Sequence, residues 1–165
     1  MRIATCTEAD LISLERDLPT GRNNAHAYHF SRQKSGDVEY LVAWSDEVAV
    51  GHALINWAGF RDDSPRAAYP ECPEISNLGV DQAWRGMGIG SALIAEAEAR
   101  ILARGSRRAG LGVGVENPDA ARLYARLGYR DTELRLESRY SWYDSDDVCH
   151  DVVEMDMFLV KELSA

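Results

Sequence analysis

The sequence predicts an α/β fold: an open mixed β-sheet flanked by helices. Three observations predict it. Strand-like and helix-like periodicities follow one another as strand, helices, hairpin, strand, helix, strand, helix, two strands. A glycine-rich turn, Gly86-Met-Gly88-Ile-Gly90, joins a short apolar strand to a helix. A second helix opens on Asn117-Pro118 and closes at Gly128.

The elements follow in order. Residues 2–5 read as an edge strand. Thr5 or Thr7 caps a helix to about Asp17 whose apolar face is Leu11, Ile12, Leu14 and Leu18, and Pro19 and Gly21 end it. Residues 23–34 form a weakly periodic second helix with an unusual cluster of His26, Tyr28, His29 and Phe30; packing explains such a pair of histidines more readily than metal ligation. Residues 39–45 and 48–57 are the strands of a hairpin, with Val48, Val50, His52 and Leu54 on one side by simple alternation. Residues 59–73, with Asp62, Asp63, Pro65, Pro70 and Pro73, read as a loop. Ile75, Leu78 and Val80 suit a buried strand. Past the glycine turn, Ile89, Leu93, Ala97 and Ile101 make one helical row with Ile94 beside it, ended by Gly105. In residues 109–116, Leu111, Val113 and Val115 alternate with Gly110, Gly112 and Gly114. One face of that strand is branched and the other is bare backbone that something approaches closely. Residues 129–136 read as a strand, 138–150 as a polar aromatic loop, and 152–160 as the final strand.

Composition bounds the function. The 165 residues suffice for one domain with a sizeable core, spanning residues 1–165, and no domain linker or repeat interrupts them. No apolar run approaches a membrane span, and the first ten residues carry no apolar leader segment, so a cytoplasmic protein is expected. Cys6, Cys72 and Cys149 are odd in number and far apart, which gives neither a metal-ligand spacing nor a disulfide framework. The net charge of −9 argues against nucleic acid and is compatible with a cationic substrate, although solubility alone also accounts for it.

The glycine turn is the strongest chemical signal. It leaves the first N–H groups of the next helix unpaired, and those groups with the helix dipole favour a phosphate. The spacing does not fit a dinucleotide fingerprint, because the third glycine position falls on Ser91 or Leu93. A Gly-Lys-Ser/Thr sequence is absent, which removes the Walker loop. What remains is Arg85-x-x-Gly88-x-Gly90 after a strand and before a helix. Downstream lies Asn117-x-x-Ala120-x-x-Leu123-Tyr124-x-x-Leu127-Gly128-Tyr129.

Together these two blocks, and the order of elements over essentially the whole chain, resemble the GNAT superfamily of acetyl-CoA-dependent N-acetyltransferases. The resemblance implies that the two central strands splay apart and hold the pantetheine arm of acetyl-CoA. It implies cofactor contacts from the backbone of Gly86, Met87, Gly88, Ile89 and Gly90 with Ser91, and strand-like pairing by Leu78 and Val80. The Val80 N–H would face the acetyl carbonyl. Arg85 would either add charge or brace the loop, and Asn117 would either contact the cofactor or only cap its helix. The tyrosine matching Tyr124 points at the thioester sulfur in the family, which makes Tyr124 the candidate general acid. Glu74, at the start of the central strand, is the candidate base, weighed against a solvated strand-entry residue. The implied acceptor is a primary amine of a small molecule or a peptide N-terminus, and the family allows a homodimer. No cysteine lies in either block, so direct transfer without metal is expected. A non-catalytic acyl-CoA-binding domain of the same fold is the alternative. The acids at Asp62-Asp63 and at Asp144, Asp146 and Asp147 are candidates for holding a cationic acceptor. Deprotonating an alkyl amine at neutral pH costs roughly 4.6 kcal/mol, against roughly 2 kcal/mol for protonating a leaving thiolate, so the base carries the larger demand.

Overall fold

The computed structural model describes residues 1–164. Seven strands form one sheet: β1 (Arg2–Thr5), β2 (Val38–Ser45), β3 (Val48–Asn56), β4 (Glu74–Val80), β5 (Arg108–Gly114), β6 (Arg130–Tyr143) and β7 (Cys149–Glu162). Their order is β1-β2-β3-β4-β5-β7-β6. Every neighbouring pair is antiparallel except β4 and β5. The helices are α1 (Leu11–Asp17), α2 (Ala25–Lys34), α3 (Asp63–Ala68), α4 (Ile89–Ala103) and α5 (Pro118–Arg126).

Alternation along β2 divides the interior into two layers. Leu41 and Ala43 face a core built with Ile89, Leu93, Ile94, Ala97 and Ile101 of α4 and with Tyr124 of α5. Tyr40, Val42 and Trp44 face the opposite core, with Leu14 of α1. The helical row expected of α4 is therefore its buried face, and each large aliphatic side chain on it is worth about 1.5–3 kcal/mol of burial. A third cluster joins Phe60 and Cys72 to Phe158 and Val160 of β7.

Two bulges shape the centre of the sheet. In β3 the register slips between Ala43 and Trp44 of its partner, leaving Val50 unmatched. Val50 consequently packs with Ala53 and Ile55 on the α4 face, while Leu54 packs on the other. The simple alternation expected for Val48, Val50, His52 and Leu54 fails at that point. In β4 the pairing with β3 slips between Ser76 and Gly79, and Asn77 takes a left-handed conformation at φ 50°. That extra residue puts Ile75, Leu78 and Val80 on one face although an odd number of positions separates the first two.

Other expectations need correction. Ile12 is 82% exposed and does not belong to the apolar face of α1. The 59–73 segment is not all loop, since it holds α3, where Asp63 pairs with Arg66. Residues 138–150 are mostly strand: β6 continues to Tyr143 and β7 begins at Cys149. This hairpin runs on past the end of β5, is wet on both faces over much of its length, and so lacks the alternation that marks a half-buried strand. It docks back on the molecule. Asn23 Nδ2 donates to the Tyr143 carbonyl at 2.7 Å, the Tyr143 N–H donates to Asn23 Oδ1 at 2.9 Å, and Arg22 lies over the Tyr143 ring.

The histidine cluster is structural. His26 Nε2 lies 2.6 Å from the Leu18 carbonyl, which can only accept, so this nitrogen carries the proton. Nδ1 then accepts from the Tyr40 hydroxyl at 2.6 Å. His29 packs edge-on to Tyr40, and His52 packs edge-on to both His26 and Tyr40. The Nδ1 atoms of His29 and His52 are buried without a partner among the described residues. Burial, with His26 nearby, holds both imidazoles down to about 4.

Both groups bind a proton more weakly folded than unfolded. Their contribution to stability is complete above the unfolded value of about 6.5 and is lost as pH falls toward about 4. Urea unfolding followed against pH should show stability falling through this window with an uptake approaching two protons. Replacing His52 by Gln should flatten the slope by about one proton.

Candidate active site

The site begins where β4 and β5 part. Only two positions of this parallel pair are in register, Glu74 with Gly110 and Ile75 with Leu111. Beyond them β4 bends at the Asn77 bulge and the strands diverge. The Asp81 N–H donates to the Val50 carbonyl at 3.0 Å, and the next pair is Val80 with Gly51. Hydrogen-bonded and open pairs alternate in an antiparallel ladder, so the Val80 N–H and C=O turn away from β3, toward β5. Leu78, two residues earlier, has the same direction. β4 therefore turns the Leu78 and Val80 N–H groups to the gap, while the Val80 carbonyl is taken by the Arg85 side chain.

The glycine turn closes one end of that gap. Gly86 and Gly88 sit at φ 77° and 81°, where a side chain is strained. Space is not the constraint, since a Cβ at either would meet nothing within 4 Å. Gly88 is the N-cap of α4 and supplies no side-chain cap, so the N–H groups of the first turn, from Ile89 through Ser91, project freely. Gly90 lies over Leu78 and Val80, which brings this helix end onto the open edge. Met87 is exposed at the tip. Arg85 braces the loop, its Nε donating to the Val80 carbonyl at 3.2 Å. A cleft of about 310 Å³ lies between Leu18, Pro19 and Thr20 on one side and His52, Gly79 and Val80 on the other. Another cavity, of about 580 Å³, opens at the far end of the sheet and contains none of the residues expected to act.

Glu74 is not a solvated entry residue. It is 6% exposed. Its Oε2 accepts from Asn56 Nδ2 and from the Arg61 N–H, each at 3.2 Å. Arg32 donates to Asn56 Oδ1 at 2.8 Å, which orients the amide and aims its NH₂ at the carboxylate. Oε1 accepts no hydrogen bond among the described residues and lies over Gly112. Burial pushes the Glu74 carboxyl up, and the two hydrogen bonds pull partly against it.

The bare face of β5 is covered by the chain itself. A Cβ at Gly110 would fall 2.4 Å from Phe60 Cζ. Above Gly112 stand Glu74 and Phe158, and above Gly114 stand Glu154 and Asp156. The close approach expected at these glycines is thus made by Phe60 and three carboxylates. Glu154 and Asp156 form no ion pair among the described residues. Of the acids singled out in the sequence, Asp63 and Asp144 are engaged by side-chain or turn partners. Asp144 accepts from the Asp146 and Val148 N–H groups and from His150 Nε2.

Tyr124 lies on the α4 side of the sheet, 7% exposed, edge-on to Tyr129. Burial raises its hydroxyl above the usual tyrosine value, so it stays protonated at neutral pH. The hydroxyl has no hydrogen-bond partner among the described residues, whereas that of Tyr129 donates to Glu98 at 2.8 Å. Asn117 accepts from the Ala120 N–H at 3.2 Å and serves as the cap of α5. Glu74 and Tyr124 thus flank the splayed strands from opposite faces.

Asn56, Arg61, Glu154 and Asp156 were not indicated by the sequence. The only prior signal for Asn56 is its polarity at the end of an apolar strand. Asn77 had one as well, in the odd spacing of Ile75 and Leu78.

The described helices include none long and apolar enough to cross a membrane. Among curated proteins, an uncharacterized N-acetyltransferase of Methanocaldococcus jannaschii is 45% identical over 64 residues, covering 39% of this chain and 28% of that protein. The mycothiol acetyltransferase of Corynebacterium glutamicum is 30% identical over 100 residues, covering 61% and 31%. The chain therefore spans about three-tenths of the length of these relatives. Among solved structures, a ribosomal-protein-alanine N-acetyltransferase from Brucella melitensis superposes with a TM-score of 0.70 at 21% identity, over 99% of this chain and 100% of that one. A phosphinothricin acetyltransferase from Sinorhizobium meliloti, in complex with acetyl-CoA, gives 0.70 at 22% identity, over 99% and 88%. These two likenesses establish the fold. The acetyltransferase (GNAT) family matches residues 9–129, nearly three-quarters of the sequence and both glycine-bounded blocks, and the chain belongs to that family.

Proposed function

We propose that the protein transfers the acetyl group of acetyl-CoA directly to a primary amine of a small molecule or a peptide N-terminus. The observation that carries this is the open edge of β4 running into the uncapped amino end of α4. An extended amide-bearing arm matches the first, and a pyrophosphate matches the second. The free N–H groups of the glycine loop and Ser91 hold the phosphates. Leu78 and Val80 pair with the arm, and the Val80 N–H stabilises charge developing on the acetyl oxygen.

The amine enters from the Phe60 and Phe158 side. Glu74, through Oε1, takes its proton, directly or by way of a water. The nitrogen–carbon bond forms, the carbon–sulfur bond breaks, and Tyr124 returns a proton to the sulfur. Glu154 and Asp156, unpaired beside Gly114, attract the ammonium group and favour cationic acceptors.

The first test is thiol release from acetyl-CoA across polyamines, aminoglycosides, amino acids and peptide N-termini. Acetyl-CoA binding with silence across the panel would favour the non-catalytic reading. Absence of acetyl-CoA binding would sink the proposal.

Three variants sharpen it. Tyr124→Phe should lower kcat about 10- to 100-fold with little change in KM for acetyl-CoA, measured by steady-state kinetics. Glu154→Gln with Asp156→Asn should raise KM for cationic acceptors, more so at low ionic strength, and leave kcat nearly unchanged. Glu74→Gln should lose activity and gain stability. The folded Glu74 carboxyl lies above its unfolded value, so its contribution to stability is present below about pH 4.5 and lost as pH rises through the folded value. Glutamine still accepts from Asn56 and Arg61 without the buried charge. Urea midpoints should therefore favour the variant at pH 8 and converge with the wild type in acid.

A further inference from the structure

The cavity of about 580 Å³ at the far end of the sheet lies where β3 ends at Trp57, β4 is entered from Pro73, and α4 gives way to β5. Its wall carries Arg104, Arg107 and Arg108. The fifteen residues of α4, about 22 Å of helix, separate it from the glycine loop. It is distinct from the site described above.

The three arginines are held differently. The Arg104 guanidinium lies 3.7 Å from the centre of the Trp57 ring, and its acidic neighbour Glu39 is 4.0 Å away. Arg108 pairs with Glu162 at 2.7 Å. Arg107 has no acidic partner among the described residues. The backbone beneath them is tied down. Ser106 Oγ donates to the Glu71 carbonyl at 2.9 Å, and the Arg107 carbonyl accepts from the Leu163 N–H at 2.7 Å. The main chain that carries the three arginines is therefore fixed at the mouth of the cavity.

Local structure accounts for only part of this. The carboxyl end of α4 points here and favours one cation, a need that Arg104 meets. Arg107 and Arg108 lie beyond the helix, in a chain whose net charge is −9. All three are arginine, whose planar fork matches phosphate oxygens. Glu71 and Glu162 also line the wall, which limits the excess positive charge and disfavours a highly charged polyanion. The volume suits a ligand of nucleotide size. We infer that this cavity binds a small molecule bearing a phosphate monoester, gripped by Arg107 and Arg104, with Trp57 and Pro73 as its apolar walls.

Calorimetric titration of AMP into the protein saturated with 3′-dephospho-CoA, which keeps the pyrophosphate that the proposed function places at the glycine loop but carries no phosphate monoester, tests this. Adenosine serves as the control without phosphate. AMP should bind, adenosine should not, and binding should weaken as salt is raised. Arg107→Glu should weaken AMP binding by about tenfold or more, the worth of one charge-assisted contact. Arg107→Gln replaces it if the reversed charge disturbs folding, judged by circular dichroism. No AMP binding, equal binding of adenosine, or binding indifferent to Arg107 would each overturn the inference. AMP binding that disappears on adding 3′-dephospho-CoA would assign the phosphate to the glycine loop and overturn it as well.

Discussion

The architecture depends on one broken ladder. β4 and β5 begin as ordinary parallel neighbours and stop pairing after two positions. A parallel pair that continued would satisfy its own backbone groups and leave nothing for a ligand. The break is driven from the other side of β4. Asn77, held in a left-handed conformation opposite β3, bends the strand and turns the backbone of Leu78 and Val80 into the gap. His52 then fills the space over Gly79, whose missing side chain is required because a Cβ would lie 2.7 Å from the imidazole. Bulge, histidine and glycine form one unit, although His52 comes from the neighbouring strand.

The two halves of the site solve different electrostatic problems. On the α4 side the groups are neutral dipoles, unpaired N–H groups with a phenol that burial keeps protonated. On the Phe60 side they are carboxylates, with Glu74 the deepest and pushed above the usual glutamate value by its burial. The sheet keeps these environments apart and lets them meet only where it is split. Arg32, Asn56 and Glu74 form a hydrogen-bonded line from α2 to that split, so the aim of the carboxylate depends on a helix that touches no part of the glycine loop.

The glycine-loop half was legible in the sequence because its signals are local. Gly86, Gly88 and Gly90 fall within five residues, and Asn117 to Tyr129 is one helix with its caps. The fold followed from the same periodicities, as did the buried row of α4. Of the carboxylate half only Glu74 was indicated, through the family resemblance; Asn56, Arg61, Glu154 and Asp156 were not legible, because they come from several segments that only the fold brings together. Two acids that looked conspicuous serve local structure: Asp63 pairs with Arg66 one turn along α3, and Asp144 accepts the N–H groups of the hairpin turn. The bare face of β5 was read correctly as a place of close approach, yet the visitor at Gly110 is Phe60, from the segment that precedes β4. The outer part of the long hairpin was missed because a strand exposed on both faces has no period to read.

That hairpin has a further consequence. Its tip is clasped to the turn before α2 by the paired bonds of Asn23 and Tyr143, which makes a closed loop of protein over the carboxylate side. A closed loop can be threaded by a free end but not straddled by the middle of a chain. If the proposed acceptor reaches Glu74 from beneath this hairpin, the clasp would favour a slim free terminus over a side chain on an unbroken folded surface.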